Sequence, residues 1–494
     1  VLGGIRITNN TLFDTATLSA LVADAQGKSL TLSDLTELAA RITDYYRSHG
    51  YPLARTIIPA QTIEAGVIRF QVIEPRYGKI TLENKSKVRD PLLNATLSAL
   101  QSGSFVEESG LDRTLLMLSD IPGIIVAPNL KSGAVNGTSD LVVSTRSGPN
   151  LSGNLGLNNN GNKYTGGMNL SGSVVINNPF RHGDTLSLSS LTSGPGMKYG
   201  SIAYDLLLNG QGTHVGGSSS WLRYNFKAGL GDLVQGSGTA QITSLWAKQP
   251  LLRSRETNVY GQLKYDRLML RDHVDVGNTK IYTDRRIENI TASLSGDARD
   301  TLMTSSITSW ILETTLGRLI FEDPTAQTEN AKTTNTRGGF SKLTGSFLHV
   351  KDLGGQRELM LGLKGQWAST NLDSSQKMQA GGPASVRAYA AGAISGDAGY
   401  LLNAEFKQPL GFALRGQWTA TAFVDAARMT INKETWTGAG LNKATLSGAG
   451  LGLIWAGPDQ YSATAYVATP LGAKSPLAGS VKSTQFSAAL QKRF

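Results

Sequence analysis

The five histidines of this chain, His49, His182, His214, His273 and His349, lie far apart, and none has a histidine or carboxylate partner at a useful spacing for metal binding or proton transfer. There is no cysteine, which removes thiolate nucleophiles, iron–sulfur clusters and Cys-based zinc sites together. Gly448-Ala449-Gly450-Leu451-Gly452 has the glycine density of a phosphate cradle, but no helix follows it, so it reads as a strand with small residues. No catalytic residue, metal ligand or cofactor site is therefore assigned, and an enzyme is not the expected class. The residue left with chemistry to explain is Arg387, close behind a Gly-Gly-Pro turn. A guanidinium enclosed in a protein is costly unless paired, and its planar fork suits a carboxylate. Such a contact locks a segment in place and does not catalyse. The alternative is an exposed loop in which Arg387 does nothing.

The elements that would hold Arg387 follow from composition and periodicity. The chain has 494 residues, 40% of them hydrophobic, 17% charged and 56 glycines. No stretch approaches the roughly 20 apolar residues of a membrane helix. A closed β-barrel remains allowed. The first residue is not Met and runs almost directly into a strand-like segment, which reads as a processed or trimmed chain. Residues 1–148 carry 14 basic and 14 acidic side chains, and the whole net charge of +10 falls in residues 149–494. These charges are spread one or two per segment, so nucleic acid is the weakest reading, behind anionic lipopolysaccharide or a charged channel.

Texture changes near Gly148. Before it lie two copies of a β-α-α-β-β unit, expected at 1–75 and 76–148. In the first, Ile5–Ile7 is a strand, Asp14–Ala25 a helix, and Leu35, Leu38, Ala39, Ile42 and Tyr45 mark a second helix by their i, i+3, i+4, i+7 spacing. Strands Ala54–Ile63 and Val67–Glu74 follow. The second repeats the order with Lys79–Glu83, Pro91–Leu100, Leu111–Leu118, Ile124–Leu130 and Leu141–Thr145. Residues 149–494 contain sixteen alternating segments, from 151–159 to 484–494, of about 10 residues each, as an outer-membrane barrel requires. Period 2 assigns the faces. Trp418, Ala420, Ala422 and Val424 point to lipid, and Thr419, Thr421, Phe423 and Asp425 to the lumen. Leu402, Ala404 and Phe406 point outward, and Asn403 and Glu405 inward. Leu359, Leu361, Leu363 and Trp367 face outward, with Lys364 and Gln366 inward. A soluble sandwich alternates too, but sixteen strands with so few charges suit a barrel better. Connections 317–337, 369–398 and 470–483 are long, and structureless loops of that size in a compact protein are usually functional or disordered.

Four motifs in order resemble the Omp85 superfamily, and within it the TpsB transporters of two-partner secretion. Residues 380–389 read AGGPASVRAY and are followed by Gly396-Asp397, close to the family's GG…VRGY/F…GD signature. Phe423-Val424-Asp425-Ala426-Ala427 is similar to its F-x-D-x-G strand, and residues 115–123, LLMLSDIPG, to a stretch of its second POTRA domain. Asn158–Gly161 with Asn178-Pro179-Phe180 and Gly183-Asp184 resembles the opening of its barrel. Two positions depart from the pattern. Ala388 and Ala427 stand where the family usually has glycine, so a positive φ at 388 or a close approach at 427 would need another solution.

The resemblance implies two POTRA domains before a 16-stranded membrane β-barrel in the outer membrane of a Gram-negative bacterium, with the POTRA domains in the periplasm. It implies that the 369–398 loop is folded into the lumen, where Arg387, within Val386, Ala388, Tyr389, Gly396 and Asp397, meets Asp425, with Phe423 and Glu405 as further lumen partners. The expected function is export of a large secreted partner whose unfolded N-terminal segment is received by the POTRA domains. No ATP site is visible, so folding of the cargo outside would supply direction. Scaffolding is the plainer reading of the POTRA modules. The terminal Phe494 resembles the signal read by the barrel-assembly machinery. A monomer in contact with outer-membrane lipid and lipopolysaccharide is expected. Insertion of other outer-membrane proteins, or a passive porin, are the alternatives. Adhesin, cytolysin, contact-dependent toxin and haem-acquisition cargo remain open.

Overall fold

The computed structural model describes residues 1–162, 164–228, 234–276, 279–300, 305–479 and 481–494. Positions 303 and 304 of the expected ninth barrel segment, and position 480 of the last long connection, lie outside the described residues. The chain begins with β1 (Gly4–Thr8), α1 (Thr15–Ala20), α2 (Leu32–Ser48), β2 (Arg55–Ile57) and β3 (Val67–Ile73). Asp14 caps α1 by accepting from Thr17 N–H, and Thr31 with Asp34 forms a reciprocal capping box on α2. The apolar stripe of α2 packs on a sheet of order β1-β3-β2. Tyr46, not Tyr45, is its fully buried aromatic, because 3.6 residues per turn carries the stripe from Ile42 to 46. The expected helix Asp14–Ala25 ends at Ala20, with a single 3-10 turn at Ala23–Ala25. The expected strand Ala54–Ile63 shrinks to three residues, since Pro59 cannot donate to a ladder.

The second unit comprises β4 (Arg76–Lys85), α3 (Asp90–Leu97), α4 (Glu108–Ser119), β5 (Ile124–Ser132) and β6 (Thr138–Ser147), with sheet order β4-β6-β5. It is fastened to the barrel by charge. Asp120 takes a two-pronged contact from Arg253, at 2.7 and 2.8 Å, and Asp112 is 2.7 Å from Arg255.

The barrel follows. Its strands are β7 (Leu151–Asn158), β8 (Asn169–Asn177), β9 (Asp184–Thr192), β10 (Met197–Leu207), β11 (His214–Ala228), β12 (Val234–Arg253), β13 (Thr257–Val276), β14 (Thr279–Asp300), β15 (Ser306–Phe321), β16 (Gly338–Asp352) and β17 (Glu358–Ala368). Between β15 and β16 stands α5 (Pro324–Lys332), so the expected loop 317–337 is partly strand and partly helix. Asp323 caps that helix and Pro324 opens it, a start signal that is local and readable. Two short strands, β18 (Met378–Ala380) and β19 (Ile394–Gly396), pair with each other inside the long 369–397 connection. Then come β20 (Ala398–Ala413), β21 (Gly416–Thr430), β22 (Lys443–Ala456), β23 (Tyr461–Pro470) and β24 (Gln485–Arg493).

Sixteen of these strands, all but β18 and β19, form one closed antiparallel barrel in which β24 pairs with β7. Their number matches the sixteen alternating segments one for one. Their length does not: β12, β13 and β14 have 20, 20 and 22 residues. Outward alternation of apolar side chains ends where a strand leaves the membrane. Beyond that level both faces are wet, so residues such as Arg271, Asp284 and Arg286 continue the ladder without continuing the pattern.

Candidate functional site

β20 and β21 present every second residue inward, and the register places Asn403 opposite Asp425 and Glu405 opposite Phe423. The segment after β17 reaches back to these side chains. Arg387 Nε and Nη2 donate to the two oxygens of Asp425 at 2.9 and 2.8 Å, and Arg387 N–H donates to the same carboxylate at 3.0 Å. Nη1 donates to Glu405. The Phe423 ring lies under the guanidinium, its centroid 3.4 Å from Cζ. Asn403 Nδ2 bonds Asp425 at 2.7 Å and the Ser385 carbonyl at 2.8 Å. The whole group is dry: Asp425 is 0% exposed, Glu405 5% and Arg387 6%.

The turn that delivers Arg387 is built on Gly381 and Gly382, whose φ values of 108° and 95° are costly for any other residue. Ala388 has an ordinary negative φ, so glycine is not required there. Its neighbour supplies the space instead. Gly448 on β22 faces the Ala388 methyl, and a Cβ at 448 would collide with it. Gly450 and Gly452 likewise make room for the rings of Phe423 and Tyr466. The small-residue strand is thus a bed for this turn. Val386, Ala388 and Tyr389 are buried with Leu401, Phe423, Ala427, Met429 and Leu446 in one apolar cluster. Ala427, the other departure from glycine, is accommodated inside it.

Asp397 ties the two ends of the segment together. It accepts from Leu372 N–H at 3.1 Å and Lys433 N–H at 2.8 Å, and pairs with Lys377 at 3.1 Å. Gly396 has no room for a Cβ, which would lie 2.5 Å from the Thr430 carbonyl.

A second anchor was not legible in the sequence. Arg285 on β14 donates to Asp373 at 2.6 Å and to Asp272 on β13 at 2.7 Å, and Asn289 bonds Gln376 at 3.3 Å. Leu372 is buried there against Leu268, Leu270, Ile287, Leu319 and Phe340. The segment is therefore held at its root by β13–β16 and at its tip by β20–β22. The only hint was Asp373 in a loop and inward parity at 272 and 285; nothing local pairs them.

Phe494 stands apart from this site. It exchanges backbone hydrogen bonds with Gly153 on β7, at 2.8 and 3.1 Å, and shows its ring on the outer face with Phe486 and Leu490. The histidines are dispersed: His214 bonds Asp205 at 2.6 Å in the barrel wall, His273 bonds Ser237 and His349 bonds Thr308. Among the described residues no group of His, Asp and Glu is placed to hold a metal ion.

Comparison with known proteins places this geometry. Residues 1–75 match the ShlB-type POTRA domain, and residues 137–454 match the family described as haemolysin secretion/activation protein ShlB/FhaC/HecB. Over 471 residues the chain is 26% identical to the heme/hemopexin transporter protein HuxB of Haemophilus influenzae strain 86-028NP, covering 94% of this chain and 82% of that protein. It is 23% identical over 186 residues to the outer membrane transporter CdiB of Dickeya dadantii, covering 38% of this chain and 33% of that protein. The solved structure of CdiB from Escherichia coli shares the fold, with a TM-score of 0.77 at 19% identity over 100% of this chain and 90% of that one. With sixteen closed strands, an N-terminal pair of small sheet-and-helix units and a family match across most of its length, the chain belongs to the ShlB/FhaC/HecB family, the TpsB transporters of two-partner secretion in the outer membrane.

Proposed function

We propose that this transporter captures its secreted partner on the POTRA sheets, releases the 369–397 segment from the lumen, and threads the unfolded partner through the space it leaves. The observation that carries this reading is the Arg387 group. It holds a segment across the inside of a barrel whose wall is complete without it. A closed hydrogen-bonded wall is stable by itself, so an added internal strap has a use only if it is sometimes undone. The outer edges of β1 in the first POTRA sheet and β5 in the second can each accept an extended chain by β-augmentation, whereas the start of β4 is already paired with residues 103–106 and the Thr56 N–H of β2 donates to Thr43 on α2. The relatives similar over nearly the whole chain are named heme/hemopexin transporters, so a partner serving haem uptake is the first cargo class to test. Phe494 acts as the mark read during barrel assembly, and the protein works as a monomer.

Locking tests the mechanism. Asn162, on the β7–β8 connection, donates from Nδ2 to the Ala391 carbonyl of the segment at 3.4 Å, and the chain has no cysteine, so Asn162→Cys with Ala391→Cys can be joined by a short reducible bis-thiosulfonate. Cross-linking is expected to stop secretion and reduction to restore it, with Arg387, Glu405 and Asp425 intact throughout. Undiminished secretion by the cross-linked protein sinks the release model.

A further inference from the structure

Charge on the outer wall is concentrated on one side. β7, β8 and β9 carry no lysine or arginine at all. On β11, β13 and β15 the outward apolar series is first interrupted after Trp221, Tyr265 and Leu316, which are 48%, 39% and 60% exposed. The next outward position on each strand is a guanidinium: Arg223, Arg267 and Arg318. Strand pairing then sets a row across four neighbours, with Lys198 opposite Arg223, Arg223 opposite Thr239 and Thr239 opposite Arg271.

A groove of about 550 Å³ runs along this row and the one beneath it, where Gly200, Trp221, Gln241 and Met269 face outward. Gly200 has nothing within 4 Å of the place a Cβ would take, so the space beside Trp221 is open. Among the described residues no acid lies in ion-pair range of Lys198 or Arg223. Arg271 meets Asp284 only at 3.9 Å and stays 63% exposed. Three cations on one outward row repel one another, and water-facing arginines above an apolar band gain little from clustering unless an anion sits among them.

We propose that Lys198, Arg223 and Arg271 form a binding site for the phosphorylated disaccharide headgroup of lipid A in the outer leaflet. On β11 the row lies one outward position beyond Trp221, on the extracellular half of β10–β13, the level of the headgroups in the outer membrane. Arginine forks match phosphate oxygens in pairs, and a lysine adds a third point charge. Trp221 and Met269, one row lower, offer apolar contact to the sugar and the first acyl carbons. Such a site ties the glycolipid to the β10–β13 wall and leaves the β7–β9 wall, which has no lysine or arginine, free of it.

Native mass spectrometry of the full chain in detergent, titrated with bisphosphorylated lipid A, tests the site. The wild-type protein is expected to bind, and Lys198→Ala/Arg223→Ala/Arg271→Ala to bind at least about tenfold more weakly. Arg428→Ala, outward on β21, is expected to change nothing. Dephosphorylated lipid A and phosphatidylglycerol are expected to bind the wild type no better than lipid A binds the triple variant. Heat-modifiable migration shows which variants are folded, and Arg223→Gln with Arg271→Gln serves if the triple variant is not. Equal lipid A binding by wild type and variant, or equal binding of the dephosphorylated or glycerol lipid, overturns the proposal.

Discussion

Arg387 faces two carboxylates, so the group it forms carries one negative charge more than positive, and its neighbours answer for the excess. The Arg387 backbone N–H and Asn403 Nδ2 both donate to Asp425, which spreads that carboxylate's charge over four donors. Removing either partner from so dry a pair costs about 3–5 kcal/mol when burial is complete. Arg387→Ala and Asp425→Ala are each expected to insert as folded barrels, to expose position 387 to reagents outside the cell, and to impair secretion. Normal secretion by both variants would falsify the locking role. The root anchor gives a contrasting case. Arg285→Ala leaves the buried Asp373 and the half-buried Asp272 without their cation, and is expected to loosen residues 371–377 in hydrogen exchange while position 387 stays protected. Loss of protection at 387 in that variant would show that root and tip move as one body.

At the scale of elements, the first POTRA unit shows how a loop is tied to a sheet. Glu74, just after β3, accepts from Leu12 N–H at 3.0 Å, Thr11 N–H at 2.8 Å and the Tyr46 hydroxyl at 2.6 Å. Burial pushes its carboxyl up, but the hydrogen bonds from Leu12, Thr11 and Tyr46 outweigh burial and hold the pKa below the ordinary glutamate value. A depressed folded pKa stabilises above the unfolded value, and that contribution is lost as pH falls through the folded one. Residues 9–13 are therefore expected to show high amide-exchange protection factors at pH 7 and lower ones once the pH drops below the usual carboxylate range. Glu74→Gln should remove that dependence at a cost of about 1–3 kcal/mol. An unchanged pH profile in Glu74→Gln would assign the effect elsewhere. At the barrel seam β24 meets β7 through only five paired residues, from Asn154 to Asn158, supplemented by the Phe494–Gly153 exchange. Deleting Phe494 is expected to lower the yield of heat-modifiable barrel in the outer membrane, and equal yield would argue that the seam closes without it.

For the whole molecule, the second POTRA unit is clamped to the barrel by Asp120–Arg253 and Asp112–Arg255, whereas the first is joined to it through the second. Truncation should therefore separate capture from assembly. A chain lacking residues 1–75 is expected to insert a folded barrel and to export no partner. Secretion at the wild-type level by the truncated chain would reduce the first unit to a scaffold. The same clamp explains the residue 115–123 motif: Met117 and Ile121 line the joint beside Leu207 and Pro250, and Asp120 holds it.

Period 2 and period 3.6 are local properties, and they alone determined the number of strands, their faces and the helices of both small units. Turn chemistry is equally local, which is why Asp323-Pro324 could have revealed α5 inside a stretch that reads as loop. Lengths escaped because β-pairing above the membrane needs no apolar alternation, as at Arg271 and Asp284. Tertiary structure alone decided what the long segment touches. Arg285 and Asp373 are 88 residues apart, and Gly448 meets Ala388 only because β22 lies beside β21 in the closed order. A side chain's inward parity can be read from its own strand. Its partner across the lumen depends on register and closure of all sixteen, and that is a property of the barrel as a whole.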